Sequence, residues 1–300
     1  MRILSATDSL PLSTPTPIAC AIGVYDGVHI GHQALIKQLH RRSSPKGTRC
    51  IVTFSPHPDD LLTARPTPLI TSLSHRLSLF AHYGIDCVLI LPFTQALAAQ
   101  SYQAFISTLR SQIPFSYLVF GAYSALGNNR EGTEPRIREL GSHLGFEVDY
   151  VAKTLWRQAP VSSAAIRTAI RSRSFKVIKK MLGRPYTIQA PYSLAACRRE
   201  NETLYSWPLQ CPGLCPLPQG IYAVDLTGCR KKTAAIAFVS STTDLQGQVT
   251  LSLEIFFAAP PKETCDLDIL FVDHLHDTPN KATLEGLLSL SSCPLSAQPT

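Results

Sequence analysis

Short apolar runs alternating with amphipathic stretches restrict the fold of this chain more than any other feature. IACAIG (18–23), CIVTF (50–54), CVLIL (87–91), YLVFG (117–121) and FEVDYV (146–151) read as strands, the middle ones apolar enough to be buried on both faces. Between them HQALIKQLHRR, LSHRLSLFAHY, YQAFISTLRS and EPRIRELGSHLG place apolar residues at i, i+3 and i+4 and read as helices. That alternation predicts an α/β domain with a mainly parallel sheet and helices on its faces. Ligands in such folds bind beyond the carboxyl ends of the strands, where the strand order reverses.

After MLGRPYTI (181–188) the texture changes. GIYAVDL (220–226), TAAIAFV (233–239), VTLSLEIFF (249–257) and DLDILFVDHL (266–275) read as strands without long helical patterns between them, so a small antiparallel β-barrel or sandwich is expected, closed by a helical pattern at 281–290. The 300 residues thus divide into domains at 1–185 and 186–300. Charge divides with them: residues 1–185 carry 21 Lys and Arg against 10 Asp and Glu, and residues 186–300 carry 7 against 11. The first domain should attract polyanions, nucleic acid or a nucleotide triphosphate. A basic run at Arg171, Arg173, Lys176, Lys179 and Lys180 lacks aromatic interleaving and reads as solvated helix surface, so no nucleic-acid partner is expected. No apolar run approaches the roughly 18 residues of a membrane span, and the first residues make a poor secretory signal. Nine scattered cysteines argue for reduced thiols and a cytoplasmic location.

The most informative stretch is IGVYDGVHIGHQAL (22–35), where the first long strand hands over to a helix. Gly23 and Gly27 let backbone approach a ligand where a Cβ would intrude. Gly31 opens the helix, whose first-turn N–H groups suit phosphate oxygens. His29 and His32, three apart, can converge on one point. Two imidazoles beside a helix N-terminus make a phosphate clamp. Asp26 orients a histidine or a metal-bound water, or only stabilises the turn.

The stretch resembles the G-x-F-D-G-V-H-x-G-H signature of the bacterial bifunctional FAD synthetases, in which an FMN adenylyltransferase module precedes a riboflavin kinase module. TFSPHP (53–58), LPFTQALAAQSYQAFI, VSSAAIRTAI (161–170) and LGRPY (182–186) resemble further family segments in the same order. The resemblance implies a Rossmann-like nucleotidyltransferase domain that joins the AMP part of ATP to FMN, with Mg²⁺ bridging the phosphates and small-molecule nucleotides and flavins as partners. It implies catalytic roles for His29, His32 and Arg167 and nucleotide contacts from Gly23, Asp26, Gly31, Ser162 and Ser163. Flavin contacts fall on Phe54, Pro56, His57, Gly121 and Tyr123.

This chain also departs from the pattern. Tyr123 replaces the polar Asp or Asn, Ser124 an aromatic, and Ala164 a threonine. Losing that threonine's hydrogen bond costs about 1 kcal/mol. In the second domain LPQGIYAVDL (217–226) resembles a kinase strand and Glu254 falls where the activating glutamate would stand. The phosphate-binding G-F-P-T-A-N has only SWPLQC (206–211) as its counterpart. A hydroxyl nucleophile benefits from a base and a metal, so this loss should hurt the kinase more than adenylyl transfer. The expectation is an FMN adenylyltransferase with a degenerate kinase barrel. A working bifunctional enzyme that also takes riboflavin, a silent flavin-nucleotide binding protein, and a zinc protein using Cys211, Cys215, His274 and His276 are the alternatives.

Overall fold

The computed structural model describes residues 1–10, 16–43, 45–63, 65–202, 204–228, 232–258, 260–261 and 264–277. The helical pattern at 281–290, the final residues 291–300, Cys229 and Cys293 lie outside them. The chain divides into two compact units, Met1–Thr67 with Arg76–Ser162, and Pro68–His75 with Ser163–Thr300. The change of sequence texture at 185 comes two helices later than this division.

Through the first 160 residues the elements are β1 (Arg2–Leu4), β2 (Ile18–Ile22), α1 (Ile30–Arg42), β3 (Thr48–Phe54), α2 (Pro58–Leu62), α3 (Leu73–His82), β4 (Cys87–Leu91), α4 (Gln95–Ala98), α5 (Tyr102–Gln112), β5 (Tyr117–Gly121), α6 (Glu134–Leu144), β6 (Glu147–Val151) and a hairpin of β7 (Leu155–Trp156) and β8 (Ala159–Pro160). Strands β1 to β6 form one parallel sheet in the order β1-β4-β3-β2-β5-β6. The five anticipated strands are all present, joined at one edge by β1, too short to read from pattern. The sheet is Rossmann-like, and its order reverses between β2 and β5, the switch point at which such sheets bind ligands.

Residue size along β2 decides which helix covers which face. Ile18, Cys20 and Ile22 pack into a layer with Phe105, Ile106 and Leu109 of α5. Ala19 and Ala21 face Leu35, Ile36 and Leu39 of α1, and small side chains there let that helix lie close. The far end of α1 carries His40, Arg41 and Arg42, a favourable charge at a helix C-terminus. Arg42 there donates two bonds to the Asp149 carboxylate of β6, both at 2.5 Å, a bidentate pairing that holds Asp149 below the usual carboxylate range.

The second unit carries α7 (Ser163–Arg171), α8 (Phe175–Leu182), β9 (Thr187–Tyr192), β10 (Arg198–Arg199), β11 (Tyr205–Pro212), β12 (Gly220–Thr227), β13 (Thr233–Thr243), β14 (Val249–Phe257) and β15 (Cys265–His276). Its seven strands form the small antiparallel β-barrel domain, in the order β10-β11-β14-β13-β12-β15-β9. Phe175 of α8 stacks on Phe271 of β15, 6.0 Å between centroids. The segment Pro68–His75 belongs here because Leu69 exchanges backbone bonds with Gly213 and Cys215, each 2.7 Å. Its His75 is buried, and burial, helped by the charge of Arg184, lowers the imidazole pKa to about 4.

Six described cysteines, at 20, 50, 87, 197, 211 and 215, are free, whereas Cys265 is in a disulfide, which corrects the expectation of uniformly reduced thiols. Among the described residues no helix is long and apolar enough to cross a membrane.

Candidate functional site

The loop that leaves β2 is strained, and its neighbours hold it. Tyr25 and Val28 adopt φ of 58° and 39°, left-handed values that cost a non-glycine residue on the order of 1 kcal/mol or more, and Gly27 adopts 80°. Tyr25 offsets that cost by burying its ring edge-on to Phe80, 5.5 Å between centroids. The Val24 carbonyl accepts from Thr53 Oγ1 at 3.1 Å and from Arg76 Nη1 at 2.5 Å. Gln33 Nε2 donates to the Val28 carbonyl at 2.9 Å. Arg76 is 2% exposed; burial pulls its pKa down and the nearby charge of Asp26, 1% exposed, opposes that pull. Two buried opposite charges that attract each other therefore accompany the turn.

His29 caps α1: its Nδ1 accepts the backbone N–H of His32 at 3.3 Å. An accepting Nδ1 leaves the proton of a neutral ring on Nε2, so His29 is set as an Nε2–H donor. The His29 and His32 rings stack with centroids 3.6 Å apart and planes 14° from parallel. Gly31 makes room for that stack, because a Cβ there would meet the His29 ring at 3.1 Å. The pair borders a pocket of about 200 Å³ whose lining also includes Gly23, Gly121, Ser124 and Lys153, but among the described residues no carboxylate. Two imidazoles, one ammonium and the positive end of the α1 dipole make it a lining suited to anions.

A second cavity, of about 380 Å³, opens on the other side of the loop that follows β5. Phe54, Phe93, Phe105 and Leu126 give it apolar walls and Asn128 and Arg130 a polar rim. Phe54 and Phe93 meet edge to face at 5.6 Å. The loop supplies Gly121, Ala122 and Ser124 to the small pocket and residues 125–130 to the large one, so one loop divides a polar pocket from an apolar cavity.

Against the sequence expectations, Gly23, His29, Gly31 and His32 come together as read, while Gly121 joins them instead of the apolar side. Asp26 is buried, and its charge acts on buried Arg76. Phe54 lines the larger cavity; Pro56 and His57 line neither, and His57 instead caps α2 by accepting the Asp59 N–H at 3.1 Å. Tyr123 is 79% exposed on the dividing loop. Ser162 closes the first unit, next to the pocket-lining Val161; Ser163 and Arg167 stand on α7 in the second. Glu254 sits on β14 between Pro208 and Phe238, on the face opposite buried Leu253 and Ile255. The counterpart of the kinase loop, SWPLQC, is part of regular strand β11, paired along its length with β14, and its Trp207 is buried edge-on to Tyr192 at 5.0 Å. The zinc alternative is corrected: among the described residues no three or more His, Cys, Asp or Glu side chains are arranged to hold a metal. Arg76 and Lys153 were not anticipated, since neither carries a local signal.

A parallel sheet with paired histidines at its switch point defines an α/β protein with a ligand crevice there, and sequence comparison makes the class specific. The profile of the FAD synthetase family matches residues 12–165, just over half of the chain, and the chain belongs to that family. Proteins named bifunctional riboflavin kinase/FMN adenylyltransferase are similar to it. The one from Listeria monocytogenes is 31% identical over 172 residues, 56% of this chain and 54% of its own length. The one from Escherichia coli K12 is 28% identical over 191 residues, 63% and 61%. The match thus spans little more than half the length of these relatives. In fold, the chain is similar to the crystal structure of a macrolide-efflux protein from Streptococcus pneumoniae, with TM-score 0.76, 97% of each chain covered and 18% identity.

Proposed function

We propose that the chain transfers AMP from ATP to FMN, giving FAD and pyrophosphate, in the cytoplasm. The observation that carries this reading is the stacked His29–His32 pair at the start of α1, in a pocket with no carboxylate among the described residues, one loop away from an aromatic cavity. The small pocket takes phosphates and the large one the isoalloxazine ring. A phosphate monoester has a second pKa of about 6, so the FMN phosphate is a dianion at neutral pH and attacks without a general base. Its oxygen bonds to the α-phosphorus as the bond to the bridging oxygen breaks, and that oxygen leaves with the pyrophosphate. The task left to the protein is alignment and charge stabilisation. His29 Nε2–H and the first-turn N–H groups of α1 donate to the phosphoryl oxygens, and His32 holds the His29 ring in place by stacking. Ser162, Ser163 and Arg167 enter the proposal as triphosphate contacts through the family pattern V-S-S-T-x-I-R. Mg²⁺ would be carried by the ATP phosphates and would offset their charge, as it commonly does in nucleotide sites.

The barrel is proposed to have lost riboflavin kinase activity. A β-strand stands where a phosphate-binding loop is required, which leaves Glu254 a base with no metal-nucleotide to work beside. Purified protein with Mg-ATP and either FMN or riboflavin, its flavins separated by chromatography, tests both parts. FAD from FMN with no product from riboflavin is expected. FMN from riboflavin would refute the kinase loss, and no product from either would favour a flavin-nucleotide binding protein.

A further inference from the structure

The exposed ring of Tyr123 has no packing reason to be where it is. It stands 79% exposed with φ of 64°, a conformation that disfavours a bulky residue. Its one ring contact among the described residues is the Lys153 ammonium, 4.8 Å from the centroid. Lys153 follows β6, lines the small pocket, and is the only Lys or Arg to do so among the described residues. Among the described residues it makes no ion pair.

We infer that Tyr123 and Lys153 form a cation perch that delivers an uncancelled positive charge to the triphosphate, making Lys153 a substrate-contacting residue and Tyr123 its positioning residue. This rests on the reading that the small pocket takes ATP phosphates. A carboxylate at position 123 would hold the ammonium equally well but neutralise it. An aromatic face holds it through the ring quadrupole and leaves its charge available. With no acid in the lining, the ammonium can leave the ring for an anionic oxygen at little cost, because both resting place and destination are attractive.

Four variants test this: Lys153→Gln, Tyr123→Phe, Tyr123→Asp and the double variant Lys153→Gln/Tyr123→Asp. Two readouts are needed: the KM for ATP in FAD synthesis, and binding of inorganic tripolyphosphate by calorimetry, which requires no turnover. Lys153→Gln should weaken both about tenfold, the scale of one charge-assisted contact, with kcat changed less than about threefold. Tyr123→Phe, which keeps the aromatic face, should weaken both by less than Tyr123→Asp does, about threefold at most. Tyr123→Asp should weaken both roughly three- to tenfold, less at high salt, and should add nothing in the Lys153→Gln background. Unchanged tripolyphosphate binding in Lys153→Gln, or a Tyr123→Asp effect that persists in full without Lys153, overturns the perch. If the wild-type chain makes no FAD yet tripolyphosphate binding follows this pattern, the proposed reaction fails and the perch stands.

Discussion

The turn at 23–32 and the strand at 205–212 occupy comparable places in the reasoning, each the segment where its unit's chemistry is expected, and they differ in what their backbone groups do. In the turn, the start of α1 borders a pocket, with left-handed residues, a buried arginine on the Val24 carbonyl and a stacked imidazole pair around it. In β11 the groups are consumed by pairing with β14, and Trp207 fills the space beside Tyr192. The difference teaches that a segment can serve a ligand or a sheet: a phosphate site needs donors that a strand ladder takes up, and the proposed loss of kinase activity rests on that contrast.

The largest effect should come from the turn. His29→Ala is expected to lower kcat for FAD synthesis about 10²- to 10³-fold, the scale of losing an electrostatic contact made in the transition state, with the Kd for ATP changed less than about tenfold. Equal loss of turnover and binding would mean that the turn only binds, erasing the contrast with β11.

The second unit is sharpened by pH. The His75 pKa falls from 6.5 to about 4 on folding, so between those values the unfolded chain holds a proton that the folded chain refuses. Stability is therefore complete above about pH 6.5, declines as pH falls, and levels off below about pH 4, a total loss on the order of 3 kcal/mol. Urea melts of the wild type and His75→Gln across that window check it; the variant should lose the slope.

A smaller and more local effect belongs to Gly31→Ala. The added Cβ displaces the His29 ring, and kcat is expected to fall roughly tenfold while stability stays within about 1 kcal/mol, since alanine suits a helix better than glycine. Full activity would show that the stack is dispensable.

Much of this was legible in sequence because the parallel strands are continuous apolar runs and the helices amphipathic. Strand β1 escaped because three residues with a single buried side chain, Leu4, make no pattern. Strand β11 escaped because Pro208 and Pro212 resemble loop punctuation, yet Pro208 is tolerated where Tyr205 to Pro212 still register on β14. The histidine pair could be read because its parts lie within four positions. Arg76 could not, because it acts on Val24 from 52 residues away, nor could the burial of Asp26, whose charge acts on that arginine. Lys153 looked like any solvated lysine until the fold placed it over Tyr123.

The bidentate grip of Arg42 on Asp149 has a mechanical meaning. Helix α1 has thirteen residues and is about 20 Å long. Arg42 clamps one end to β6, and at the other Gln33 is tied to the preceding turn, itself fastened to α3 through Arg76. A beam built in at both ends can neither slide nor pivot. The residual freedom at its histidine end is torsion of the side chains alone, and the stacked rings suppress that as well.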